Sequence, residues 1–116
     1  MPVILTQSAT ISDDYGQSVT LGYLKCNELR VNPDNLSMTI QYWLSIDGVT
    51  WGGMKTLKLQ DNVDSGITEM TTACNDITAH LVAENVQVSD SLYVVNKRAC
   101  YYIVADRVFN TTYTII

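Results

Sequence analysis

The 116-residue chain carries seven basic and twelve acidic side chains, for a net charge of −5, and its pI is about 4.5. That balance excludes the basic footprint that a nucleic-acid backbone requires, and with Lys97-Arg98 the only adjacent cations it excludes a polybasic membrane patch. At 47% apolar and 16% charged residues, the chain can bury one core and fits a single domain over 1–116.

Taken in order, Val3 to Thr6 is a β-prone run that Ala9 to Ser12 extends, which places the start of the chain in a sheet. Asp13-Asp14-Tyr15-Gly16 is turn chemistry. Its paired carboxylates have no third ligand at useful spacing and read as a solvated turn rather than a metal site. Ser18 to Lys25 is predicted as a strand with Val19, Leu21 and Tyr23 on one face, and Leu29 to Val31 as another. Asn32-Pro33-Asp34-Asn35 reads as a type I turn with Pro33 preset for its second position.

Leu36 to Gln60 then reads as one long β-hairpin about Asp47-Gly48, a type I′ turn in which both central residues take positive φ. That turn sets Leu44 opposite Trp51, Met38 opposite Leu57 and Leu36 opposite Leu59 on an apolar face. Trp51 therefore belongs beside Leu44 in the core, and Trp43 on the other face. The second face carries Ser37, Thr39, Gln41, Ser45, Thr50 and Thr56. Lys55 falls on the apolar side opposite Ile40, and Gly52-Gly53 offers a bulge that would change the pairing beyond it.

Asp61 to Gly66 lacks the frame and downstream glutamate of a calcium loop and reads as a loop leading into a helix capped by Asp64 or Ser65. From Ile67 to Glu84 the period becomes helical: Ile67, Met70, Cys74, Ile77 and Leu81 form one stripe, with Glu69, Thr72, Asn75, Asp76 and His80 on the polar side. Strands are predicted again at Val86 to Val88, Leu92 to Val95, Ala99 to Ala105 and Phe109 to Ile116, with a turn at Asn96-Lys97-Arg98. The segment ACYYIVA is apolar on both sides, the signature of a strand covered on two faces.

Cys26, Cys74 and Cys100 show no zinc or redox spacing. Without a basic segment and apolar run at the start, and without a spanning apolar stretch, the expectation is a reducing cytosol with three free thiols. The sequons at Asn35 and Asn110 then carry no glycan. His80 stands alone on the polar helix face, no GxSxG is present, and most of the carboxylates read as turn residues, so no enzyme, cofactor or metal is expected.

Ser45-Ile-Asp-Gly-Val-Thr-Trp51 resembles the S-x-D-G-x-T-W hairpin of bacterial and viral β-sandwiches, discoidin-like carbohydrate-binding modules among them, and resembles an Asp-box one residue short. The match spans seven residues, does not recur, and implies a turn followed by a packed tryptophan rather than a ligand site. As a whole, this short, acidic, Thr/Asn-rich β chain is similar in type to the small virion proteins of tailed bacteriophages: capsid decoration, head-tail connector and tail proteins.

The expected fold is mainly β (α+β): an antiparallel sheet or sandwich with a long central hairpin and one packed helix. The expected function is non-enzymatic, a structural protein that self-associates or docks on a larger assembly, in a virion assembled in the host cytoplasm. The alternative is a small binding module for a glycan or protein ligand. The expected interaction surface combines the polar hairpin face, with Trp43, Met54 and Gln41, and the C-terminal strand, with Tyr113, Ile115 and Ile116.

Overall fold

The computed structural model describes residues 3–5, 10–12, 14–19, 21–87 and 89–115. Its elements are β1 (Val3–Leu5), β2 (Ile11–Ser12), β3 (Ser18–Val19), β4 (Tyr23–Asn32), β5 (Ser37–Ser45), β6 (Lys55–Asn62), β7 (Ile67–Thr68), α1 (Glu69–Ala83), α2 (Leu92–Phe109) and β8 (Tyr113–Ile115). Six strands form one antiparallel sheet in the order β7-β6-β5-β4-β1-β8, and β2 pairs with β3 in a separate ribbon. The mainly antiparallel α+β class expected from the sequence is the class observed.

The sheet is built on the alternation along β5. Met38, Ile40, Tyr42 and Leu44 are buried, and the ladder sets them beside Leu59 and Leu57 of β6 and beside Val31, Leu29, Cys26 and Leu24 of β4. Period-two geometry puts all of these on one face, and both helices pack there, α2 over β4 and α1 over β6. The thinnest dimension of the molecule is 21 Å, the depth of one sheet plus one helix layer.

The pairing of β4 with β5 breaks between Cys26 and Leu29. There α2 takes up two β4 amides: the Cys26 N–H donates to Tyr101 Oη at 3.4 Å and the Leu29 N–H to Asn96 Oδ1 at 3.3 Å. The irregularity that interrupts the sheet is therefore the place where α2 is fastened to it.

The paired strands keep their predicted faces but not their register. Asp47 does not take positive φ, whereas Gly48 does at +80°, so the turn is not type I′. Instead the Asp47 carboxylate accepts from the Val49 and Thr50 amides, both at 2.8 Å, and Ser45 Oγ accepts from the Gly48 amide at 2.8 Å. These bonds fold residues 46–54 into a loop. The strands resume with Met38 opposite Leu59 and Ile40 opposite Leu57, two residues from the predicted register. A slip of two leaves each side chain on its original face. Leu36 is displaced from the ladder into the β4–β5 turn, at φ 54°.

The predicted helix over Ile67 to Glu84 is α1, which starts two residues later because Ile67 and Thr68 pair with Asn62 and Asp61 as β7. Neither Asp64 nor Ser65 caps it. Asp61, across that pairing, accepts from the Met70 amide at 2.8 Å and the Thr71 amide at 3.1 Å. These bonds and one from the Thr71 hydroxyl hold the Asp61 carboxyl below its ordinary range, the hydroxyl contributing most.

The strands predicted at Leu92 to Val95 and Ala99 to Ala105, with the turn between them, are one 18-residue helix, so there are two helices where one was expected. Ser91 Oγ caps the start by accepting from the Val94 amide at 3.3 Å. Asn110, left-handed at φ 50°, closes the end. Residues Ala99 to Ala105 read as a two-sided strand because α2 is enclosed on several sides: Ile103, Val104 and Ala105 are all fully buried, and Tyr102 stacks on α1. The strand expected from Phe109 is reduced to β8, and Val86-Gln87 are not in a strand. Val88 lies outside the described residues.

Close packing of the ribbon onto the sheet depends on Gly22. A Cβ there would come within 2.5 Å of the side chain of Ile11, which is fully buried, whereas at Gly53 the nearest atom lies 3.9 Å away. Gly22→Ala is expected to lower unfolding free energy by about 1–3 kcal/mol, and Gly53→Ala by no more than about 0.5 kcal/mol. Urea unfolding of the two variants measures this difference.

Candidate functional site

With both helices on one side, the opposite face of β4–β5–β6 has no helix over it among the described residues. Lys25, Arg30, Thr39, Gln41, Trp43, Thr56 and Lys58 alternate onto this outer face, where Arg30, Thr56 and Lys58 are exposed and the others half-buried. Asn27 Nδ2 donates to Gln41 Oε1 at 3.3 Å, and Arg30 pairs with Glu28 at 2.9 Å. Together with Thr39 and Thr56 these side chains line a shallow polar hollow of about 180 Å³.

Beside the hollow, Lys25 lies between two indoles, its Nζ 5.3 Å from the Trp43 ring centroid and 4.7 Å from that of Trp51. Both distances are in cation–π range. Trp51 is thus outside the buried core predicted for it. The 46–54 loop folds across the outer face, with Gly48 against the Tyr23 ring, and carries Trp51 to the same side as Trp43. Nothing in the sequence flags Lys25, because its place between the rings depends on the β4–β5 register and on the loop together.

The expected interaction residues divide between two faces. Trp43 and Gln41 are on the outer face, and Met54 is exposed in the 46–54 loop. Tyr113 and Ile115 point to the helix side and pack against the core. Ile116 lies outside the described residues.

Tyr113 belongs instead to a polar cluster tying β8 to both helices. His80, expected to have no partner, meets Tyr113 Oη at 2.8 Å, stacks on Tyr102 at 4.4 Å between centroids, and lies 3.7 Å from Glu84, which also pairs with Arg98 at 3.7 Å. Burial lowers the His80 pKa, against the Glu84 carboxylate and with Arg98. Around it stand the Tyr113 hydroxyl, the Tyr102 ring, one carboxylate and one guanidinium. The cluster works as a brace.

The three cysteines form no disulfide. Burial raises the thiol pKa of each, Cys100 to about 12, so they are protonated and unreactive at neutral pH. Cys26 and Cys100 line a cleft of about 480 Å³ between β4 and the first half of α2, with Leu92, Tyr93 and Asn96. Among the described residues no three His, Cys, Asp or Glu side chains converge as a metal site. Among the described residues no helix is long and apolar enough to cross a membrane. Comparison with protein families, curated proteins and solved structures finds no match.

The brace makes stability pH-dependent. His80 titrates below its ordinary 6.5 in the fold, so between the folded value and 6.5 the unfolded chain binds more protons, and stability is lost as pH falls through that window. The Asp47 and Asp61 carboxyls, lowered from 3.8, act only in stronger acid. Thermal melts between about pH 7.5 and 5.5 are expected to show a decline for the native chain that is absent in His80→Gln.

Proposed function

We propose that the protein is a non-enzymatic assembly domain that docks onto other protein subunits, its own copies included, through the outer face of its sheet. The observation that carries this reading is the uncovered face itself. Two indoles and a lysine stand beside a polar hollow on rigid strands, with Met54 exposed in the adjoining loop. Aromatic anchors surrounded by polar groups are the usual composition of an interface hot spot. The setting, a virion assembled in the host cytoplasm, rests on the resemblance of type in the sequence.

The reading as a glycan module has one observation against it. A sugar stacking on either indole would compete with the Lys25 ammonium already over both rings.

Light scattering across a concentration series is expected to show association beyond the monomer. Trp43→Ser should weaken that association by roughly 2 kcal/mol or more, the range of a hot-spot residue, with the melting temperature of the dilute protein unchanged. A chain that stays monomeric and whose tryptophan fluorescence is quenched by sugars favours the glycan module instead.

A further inference from the structure

The six-stranded sheet has two edges, and they differ in chemistry. At one, β7 is two residues long, pairs with Asp61 and Asn62, and is flanked by Asp64 and Glu69. Two copies meeting there would set like charges together. At the other, β8 pairs with β1 through Leu5–Tyr113, Ile4–Thr114 and Val3–Ile115, and among the described residues no strand borders its second side. Such an edge presents backbone donors and acceptors without ladder partners.

Edges are ordinarily guarded by charge, proline, a bulge or extreme shortness. β8 is three residues long, but Tyr113-Thr114-Ile115 contains no charged side chain and no proline, and the β1–β8 register runs without a break. In a chain of net charge −5, where copies repel overall, this is an edge that two copies can bring together without opposing like charges.

The strand is also complementary to itself. Reversed about Thr114, Tyr113 falls opposite Ile115, so both stay on the helix side, while Thr114 meets Thr114 on the outer side. We propose that β8 pairs antiparallel with β8 of a second copy, about a two-fold axis between the two Thr114 residues, joining two six-stranded sheets into one. Each copy gains two Tyr–Ile cross-strand pairs, a favourable aromatic–β-branched combination, and the contact is isologous, hence closed. The inference rests on the assembly reading and deepens it: a second copy is the partner, the β8 edge is the contact, and the two outer faces remain available side by side for bivalent docking.

Sedimentation equilibrium of the full chain in the Trp43→Ser background, where the outer-face contact is weakened, tests the edge. A dimer is expected. Thr114→Lys, an exposed position in the monomer, should raise its dissociation constant roughly fivefold or more by opposing two ammonium groups, with an unchanged melting temperature at high dilution. Under mild oxidation Thr114→Cys should give a disulfide-linked dimer through residue 114, identified by peptide mass, whereas Thr56→Cys, exposed on β6, should not. A monomer at every concentration, or a dimer indifferent to Thr114→Lys, overturns the edge contact. If the native chain nonetheless associates through Trp43, the outer-face reading stands and only the edge inference fails.

Discussion

One-sided burial of the two central strands is the constraint from which the rest follows. β4 and β5 place Leu24, Met38 and Ile40 on a single face, all three at 2% exposure or less, and that face must be covered by something apolar. The covering is α2, fastened at the Cys26–Leu29 irregularity by Tyr101 and Asn96, and α1, held over β6 by the Asp61 cap. With both helices on one side, no helix covers the other face of these strands among the described residues, and the 46–54 loop, bonded through the Gly53 amide to Asp14, folds over part of it. An open polar face with two indoles is the remainder of how the core is satisfied.

The same logic explains why the hairpin could slip without harm. A two-residue slip conserves the face of every side chain that stays in the ladder, so burial within the paired strands does not distinguish the two registers. Local hydrogen bonding does. Asp47 and Ser45 gather the amides of Gly48, Val49 and Thr50, and the resulting loop consumes residues that a tight turn would have left in the ladder. One consequence reaches the surface chemistry: Trp51, freed from pairing with Leu44, is delivered to Lys25. A turn residue thus decides the composition of a face some distance away.

Charge distribution joins the two ends of the functional reading. The net charge of −5 keeps copies apart except where the surface is neutral or basic. The outer face carries Lys25, Arg30 and Lys58, with Glu28 paired to Arg30, and residues 113–115 of β8 carry no charged side chain. Both are regions where approach of another acidic subunit meets the least electrostatic resistance. The His80 brace sits behind β8 and holds the edge strand against both helices.

Local chemistry by itself determined the class of the fold, the faces of the β5 and β6 strands and the position of α1. Each depends on a period or a turn residue, quantities carried by neighbours in the chain. The register of the hairpin, the helical state of residues 92–109 and the surroundings of His80, Lys25 and Trp51 were decided by tertiary structure. Leu92 to Phe109 is rich in Val, Ile and Tyr, whose strand preference is weak enough for packing to override. The signals favouring a helix, Ser91 as cap and Asn110 as left-handed stop, are single residues that a long apolar run obscures. His80 finds Tyr113 across 33 positions, and Lys25 finds its two rings only after three segments are in place. Contacts of that separation have no local signature, because they form only where the buried face has already brought the segments together.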